Sequence, residues 1–235
     1  MNYENLVFLG TSHIAKQSLD AVKKRIEEEK PHIIALELDR KRLHALMSKT
    51  QGKIDLKIIK HIGLKGFLFS LLGAWAERKL GKIVGVAPGS EMKQAVRIAK
   101  RENIKLALID QDIEITLRRL SKELTWKEKW NFLADLIKAV FTRNKEIEFD
   151  LTTVPDKKVI GKLISRLKER YPNIYKVLIE ERNHVIADNI NKLMNLNKDK
   201  KILVILGAGH IDDVVELLKE PTISFSFNIG QNNNI

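Results

Sequence analysis

Two apolar segments near opposite ends of the chain each run into the same Gly-x-x-His pattern. Residues 6–13 read Leu-Val-Phe-Leu-Gly-Thr-Ser-His, and residues 202–210 read Ile-Leu-Val-Ile-Leu-Gly-Ala-Gly-His. Further apolar runs at 33–36 and 105–109 are separated by segments with helical spacing, such as 18–30. Strands that alternate with helices in this way predict parallel strands covered by helices.

The length and composition fit one globular domain. The chain has 235 residues, of which 44% are hydrophobic and 31% charged, and no stretch has the composition of a linker. A chain of this size can bury a core without staples. We therefore expect a single α/β domain over residues 1–228, with a central mixed, largely parallel sheet flanked by helices and the Gly-x-x-His motifs at two strand ends. Residues 229–235 are expected to form a flexible tail.

Charge and hydropathy exclude several classes of function. The 42 Lys+Arg and 30 Asp+Glu residues give a net charge of +12, but the basic residues are spread along the chain beside acids and aromatics make up only 6%. This pattern favours a solvated lysine-rich surface over a specific nucleic-acid partner. The acidic start is unlike a signal peptide, and the most apolar stretch, 62–76, is interrupted by Lys65 and is shorter than the ~20 residues needed to span a bilayer. The sequence predicts a cytoplasmic protein, with peripheral attachment to an anionic membrane surface as the alternative.

A helix over 62–75 would be apolar nearly all round. A monomer would struggle to cover such a surface, so we expect a homodimer interface there, with membrane docking as the competing explanation. The three tryptophans have apolar neighbours at helical spacing and are expected in the core or at an interface: Trp75, Trp126 and Trp130.

Four ionisable residues follow the predicted strands and are expected at one edge of the sheet. They are His13, Glu37, Asp110 and His210. Ligands of open α/β sheets bind outside the carboxyl ends of the strands, and the glycine of each Gly-x-x-His would allow a tight turn there. The chain has no cysteine, so any metal must be held by His, Asp and Glu, a set used by zinc, manganese, iron and cobalt enzymes. A single histidine would more simply be structural, and either acid alone could cap the following helix. Burial of Glu37 without a partner would be costly.

Six short motifs, in order along nearly the whole chain, resemble the TraB/PrgY family. They are Gly-Thr-Ser-His13, Ala-Leu-Glu-Leu-Asp39 with Arg42-Leu43, Pro-Gly-Ser-Glu-Met92, Leu-Ile-Asp110 through Ile-Thr-Leu-x-Arg119, Glu-Arg-Asn183 and Gly-Ala-Gly-His210. This family is similar in turn to the Tiki and GumN proteins, which share paired Gly-x-x-His motifs, a glutamate and an arginine. Tiki proteins are metal-dependent proteases that use manganese or cobalt, and PrgY is associated with shutting down a peptide pheromone.

The resemblance implies a peptidase-like hydrolase that depends on a divalent metal, manganese or cobalt rather than zinc, and acts on peptides. The implied metal ligands are His13, Glu37 and His210. The implied catalytic groups are Glu91 or Asp110 as general base or orienting residue, and Arg182 to stabilise the oxyanion or hold a peptide carboxylate. The implied substrate contacts are Arg42 and Asn183. The same pocket could instead bind a peptide or small anion without catalysis, or scaffold a membrane complex.

Arg182 has two interpretations that differ in energy. It could form a surface ion pair on its own predicted helix, 172–195, worth ~0.3–0.5 kcal/mol. Alternatively, its guanidinium is buried beside Glu37 or Asp110, and its removal would then cost ~3–5 kcal/mol.

Overall fold

A parallel sheet organises the part of the chain that the computed structural model describes, namely residues 2–11, 16–48, 89–141 and 157–220. Its strands are β1 (Asn2–Tyr3), β2 (Leu6–Thr11), β3 (Ile33–Leu36), β4 (Lys105–Leu108) and β5 (Ile202–Gly207). They lie in the order β1-β2-β5-β3-β4. The short β1 is antiparallel to β2, and the remaining neighbours pair in parallel. The expected mixed, largely parallel sheet is therefore confirmed over these residues.

Helices connect the strands and flank the sheet. They are α1 (Lys16–Glu29), α2 (Arg40–Met47), α3 (Ser90–Arg101), α4 (Ile113–Glu123), α5 (Trp126–Phe141), α6 (Lys157–Arg170), α7 (Pro172–Tyr175), α8 (Glu181–Asn195) and α9 (Ile211–Lys219). A π-helical turn, Lys176–Glu180, joins α7 to α8. The helix predicted over 172–195 is therefore present but is not a regular α-helix throughout, because one wider turn interrupts it.

Alternating strand residues face two different cores. Leu6, Phe8 and Val204 belong to a cluster that α8 and α9 complete with residues such as Ile186 and Val214. The intervening strand residues pack on the other face against α1 and α3, in a cluster that includes Val7, Ile34, Leu203, Val22 and Met92. Because successive side chains of a strand point to opposite faces, one apolar run can supply both layers.

The two strands that run into the Gly-x-x-His patterns, β2 and β5, are neighbours in the sheet. Thr11 pairs with Gly207 at the carboxyl ends of these strands. Gly207 begins a tight turn, as expected, because the His210 N–H donates to Gly207 O at 2.9 Å. The described glycine with a positive φ is Gly89, so this turn does not use left-handed backbone at Gly207. The turn expected after Gly10 runs into residues outside the described part of the chain and stays a prediction. Gly10 also allows close packing, since a Cβ there would lie 2.8 Å from Ile211 Cδ1 of α9. His13 lies outside the described residues, so its distance from His210 stays a prediction.

A capping box begins α5, as the Thr-x-x-Glu pattern predicts. The Glu128 N–H donates to Thr125 Oγ1 at 3.3 Å, and Glu128 Oε2 accepts from the Thr125 N–H at 3.0 Å. The same carboxylate accepts from the Asn173 N–H at 2.7 Å and from Asn173 Nδ2 at 3.0 Å. Glu128, which is buried, therefore joins the start of α5 to the start of α7.

The tryptophans and the apolar segment were expected to lie in the core or at an interface. Trp126 and Trp130 are 71% and 65% exposed, so they are not core residues. Trp75, the apolar segment 62–75 and the tail 229–235 lie outside the described residues, and the homodimer interface stays a prediction. Of the helices that the structure describes, none is both long and apolar enough to cross a bilayer.

The buried acceptor role of Glu128 predicts a pH-dependent contribution to stability. Burial alone would raise the pKa of Glu128, but the hydrogen bonds from Thr125 and Asn173 outweigh it and the pKa is lowered. A lowered folded-state pKa stabilises the fold above the unfolded value of about 4.3, and this stabilisation is lost as the pH falls through the folded value. Glu128→Gln should lower the free energy of unfolding by about 1–3 kcal/mol at pH 7, because an amide nitrogen cannot accept these donors.

Urea melts at pH 7 and below pH 4 test this expectation. The difference between the wild type and Glu128→Gln should shrink at the lower pH. Glu102→Gln, which removes an exposed carboxylate, is the matched control and should show little change at either pH. A difference for Glu128→Gln that does not depend on pH would contradict the assignment.

Candidate functional site

Three strands carry buried polar side chains to one edge of the sheet. Glu37 follows β3 directly, Asp110 lies two residues after β4, and His210 lies three residues after β5. Their exposures are 1%, 8% and 6%. Backbone hydrogen bonds extend the pairing into these segments, because the Glu37 N–H donates to Ile205 O at 3.2 Å and the Asp110 N–H donates to Leu38 O at 3.4 Å. The carboxyl ends of these parallel strands therefore form one polar cluster, as expected for Glu37, Asp110 and His210.

Arg182, in the first turn of α8, lies between the two carboxylates. Its Nε and Nη2 donate to Asp110 at 3.0 and 2.7 Å, and Nη2 also donates to Glu37 Oε1 at 2.5 Å. The other terminal nitrogen donates to Leu178 O at 3.0 Å. The Arg182 side chain is only 13% exposed. The surface ion pair is therefore wrong for Arg182, and burial beside both Glu37 and Asp110 is what the structure has.

Further donors reach both carboxylates. Glu37 Oε2 accepts from the Gly207 N–H at 2.6 Å, which ties β3 to the end of β5. Asp110 Oδ2 accepts from Arg42 of α2 at 2.5 Å, and Asp110 Oδ1 accepts from the Gln111 N–H at 2.7 Å. The desolvation cost of burying these acids is offset by charged and backbone donors.

Neither acid is a helix cap. The residue that caps α4 is Asp112, whose Oδ1 accepts from the Glu114 N–H at 2.8 Å. Asp39 caps α2 in the same way, by accepting from the N–H groups of Lys41 and Arg42. The carboxylates of Glu37 and Asp110 therefore bind Arg182 and cap no helix, so the capping interpretation of these two residues is wrong.

The charges in this cluster compensate one another. Burial alone would lower the pKa of Arg182, but the hydrogen bonds and charges of Asp110 and Glu37 outweigh it and raise that pKa. Arg42 supplies a second positive charge, and its side chain is 31% exposed. Two guanidinium groups and two carboxylates thus contact one another, with Arg42 on the solvent side of Asp110.

A second set of hydrogen-bonded polar side chains meets this cluster at Glu37. His210 Nε2 lies 3.6 Å from Glu37 Oε1, while His210 Nδ1 lies 2.6 Å from Asn183 Oδ1. Asn183 Nδ2 donates to Asp213 Oδ2 at 3.0 Å. Asp213 is half-buried, and burial raises its pKa, as do Glu216 and Asp212, against the opposing effect of His210. Asn183 is 2% exposed, and its expected contact with substrate stays a prediction.

Some residues of this arrangement are not among those singled out from the sequence. Asp213 was missed, although it follows His210 by three residues, which places it in the first turn of α9. Glu181 binds Arg119 of α4 through two hydrogen bonds of 2.5 and 3.1 Å. The hydrogen bond from Arg119 lowers the pKa of Glu181. Glu91 is buried in the first turn of α3, and its role stays a prediction.

Two of the three predicted metal ligands, Glu37 and His210, lie near each other among the described residues. No group of three His, Asp or Glu side chains with metal-binding geometry occurs within residues 2–11, 16–48, 89–141 and 157–220. The pair of His210 Nε2 and Glu37 Oε1, 3.6 Å apart, is close to the roughly 3.0–3.4 Å between two donors that share an ion at about 2.1 Å. Imidazole nitrogen and carboxylate oxygen are donors that divalent first-row metals accept. A third protein ligand would have to come from outside the described residues, where His13 lies.

Comparison with known proteins gives consistent matches along the chain. The model of the TraB/PrgY/gumN family matches residues 2–225. An uncharacterized protein of Methanocaldococcus jannaschii is 38% identical over 224 residues, which are 94% of this chain and 55% of that protein. TraB domain-containing proteins of Bos taurus and Homo sapiens are 24% and 23% identical over 192 residues, 74% of this chain and 48% and 49% of theirs. The chain thus spans about half the length of these relatives.

Removal of the buried arginine should be strongly destabilising. Arg182→Ala would leave Glu37 and Asp110 buried without their shared cation, and it should lower the free energy of unfolding by about 3–5 kcal/mol. Arg182→Lys should recover only part of this loss, because an ammonium group cannot reproduce the fork that bridges two carboxylates. Urea melts at pH 7 give both values.

Arg166→Ala is the matched control for this experiment. Arg166 is an exposed arginine of α6, and its loss should change the free energy of unfolding by less than about 0.5 kcal/mol. If Arg182→Ala were as stable as Arg166→Ala, the buried network would not be a determinant of the fold.

Proposed function

Because this chain belongs to the TraB/PrgY/gumN family, we propose that it is a peptidase-like hydrolase that depends on a divalent metal. The observation that carries the proposal is the pair formed by His210 Nε2 and Glu37 Oε1, 3.6 Å apart in a buried cluster at the carboxyl ends of the strands. Glu37 and His210 would hold the metal, together with His13. Manganese or cobalt is proposed over zinc, and a peptide as substrate, on the family resemblance alone.

The polar residues around this pair have distinct tasks in the proposed reaction. A divalent metal, when bound, supplies activation of water and polarisation of a carbonyl. Arg182 holds Glu37 Oε1 by a hydrogen bond of 2.5 Å, and the Gly207 N–H holds Oε2 at 2.6 Å, so the carboxylate is fixed in orientation. Fixed donors and acceptors of this kind need no reorganisation during the reaction.

Asp110 is better suited to a positioning role than to that of a general base. It accepts hydrogen bonds from Arg42, Arg182 and the Gln111 N–H. A base must be able to take a proton from the reacting water, whereas these donors use the acceptor sites of Asp110. We therefore assign it the task of holding Arg182, and leave the general base to Glu91. Arg42 is the more exposed of the two arginines and is proposed to contact a peptide carboxylate.

A second candidate function is the capture of a peptide or small anion without catalysis. It is favoured by the charge compensation of the cluster, since Glu37 and Asp110 already have arginine partners. A compensated site of this kind is stable without a metal and can still offer Arg42 to an anionic ligand.

Metal analysis combined with a peptidase assay tests the proposal. Purified protein should contain a stoichiometric divalent metal, and it should cleave members of a fluorogenic peptide library in a reaction that a chelator abolishes. His210→Ala and Glu37→Gln should each lower cleavage by at least about 100-fold, and His210→Ala should also lower the metal content.

His44→Ala is the matched control, because His44 is an exposed histidine of α2. It should leave both metal content and cleavage unchanged. A folded protein that binds peptides but holds no metal and cleaves nothing would contradict the hydrolase and support the binding function. The circular dichroism spectrum of each variant shows whether loss of activity is merely loss of fold.

A further inference from the structure

Asn183 and Asp213 are hydrogen-bonded to each other on the side of His210 that faces away from Glu37. Asn183 and His210 are 2% and 6% exposed. Asn183 contacts the imidazole through Oδ1 and the Asp213 carboxylate through Nδ2, at 2.6 and 3.0 Å. These residues come from two helices, α8 and α9, which pack against each other. The arrangement reaches from the start of α9 to the ring nitrogen that does not face Glu37.

Asp213 determines which end of the Asn183 amide faces His210. An ionised carboxylate accepts hydrogen bonds and donates none, so Asp213 requires the NH₂ group of Asn183. The carbonyl oxygen of Asn183 is then turned toward His210 Nδ1. A carbonyl oxygen also only accepts, so the hydrogen of this 2.6 Å contact must belong to Nδ1.

The distance on the other side of the ring agrees with this assignment. His210 Nε2 is 3.6 Å from Glu37 Oε1, which is too long for a direct hydrogen bond from an Nε2–H group. In a neutral imidazole with its hydrogen on Nδ1, Nε2 carries a lone pair. That lone pair faces the Glu37 carboxylate.

We infer that Asp213 and Asn183 act as positioning residues that hold His210 in the Nδ1–H tautomer, with the Nε2 lone pair directed at the Glu37 side of the site. A hydrogen bond at one ring nitrogen fixes the other for metal binding or proton transfer. The role in catalysis rests on the function proposed above, whereas the tautomer does not.

The tautomer can be measured directly. In protein labelled with ¹⁵N-histidine, long-range ¹H–¹⁵N spectra distinguish a protonated from an unprotonated ring nitrogen, and His210→Gln identifies the His210 signals by their absence. At pH 8 and without added metal, His210 of the wild type should show a protonated Nδ1 and an unprotonated Nε2. An Nε2–H tautomer or a doubly protonated ring would overturn the inference, and this measurement requires no other variant to fold.

Asp213→Asn tests the role of the carboxylate in the same spectrum. An asparagine at 213 can present either NH₂ or oxygen to Asn183, so the Asn183 amide is free to turn and the His210 signals should shift toward a mixture of tautomers. Asp212→Asn removes the same charge from the exposed neighbouring position of α9 and should leave the Nδ1–H signals as in the wild type. Signals in Asp213→Asn identical to those of Asp212→Asn would overturn the role of Asp213.

A titration with Co²⁺, followed by visible absorbance, separates this inference from the proposed function. If the metal site exists, Asp213→Asn should weaken Co²⁺ binding by about 10–100-fold relative to Asp212→Asn. Equal Co²⁺ affinities in the two variants would overturn the positioning role in metal binding. No Co²⁺ binding by the wild type, together with an Nδ1–H signal, would defeat the metal-dependent function and support the tautomer.

Discussion

The buried ion network of Arg182 is the constraint on which the described structure depends. A charge removed from water is tolerated only when other charges and donors replace the solvent. Arg182 meets this requirement through Glu37 and Asp110, which come from the ends of two neighbouring strands. Arg42 extends the network to α2. Each partner would be costly to bury alone, so the network forms only when β3, β4, α2 and α8 have their native arrangement.

Three consecutive residues at the start of α8 bind three different sets of partners. Glu181 binds Arg119 of α4, Arg182 binds the strand-end carboxylates, and Asn183 binds His210. The π-helical turn Lys176–Glu180 directly precedes them, and it changes the angular position of α8 residues relative to α7. Turns of this kind are frequent at functional sites. Val177, within this turn, packs in one apolar cluster, whereas Ile186 of α8 packs in another.

Glu37 is the residue where the structural and the proposed chemical roles coincide. One of its oxygens contacts Arg182 and lies nearest to His210, and the other accepts from the Gly207 N–H. The ion network thus holds the carboxylate that faces His210, while Asn183 and Asp213 hold the ring from behind. The stability of the fold and the proposed function both involve this residue, so variants of Glu37 require a measurement of fold beside any measurement of activity.

The sequence alone determined the alternation of strands and helices and the capping box at Thr125, because both follow from local residue patterns. It also determined that Glu37, Asp110 and His210 lie at one edge of the sheet, because parallel strands end at the same edge. It left Arg182 open between surface and core and gave no sign of the link from Asp213 to His210. Those contacts join residues far apart in the chain or on different helices, and their geometry depends on the π-helical turn and on how α8 and α9 pack. Only the tertiary structure could decide them, since a charged side chain is buried or exposed according to the partners that the fold brings to it.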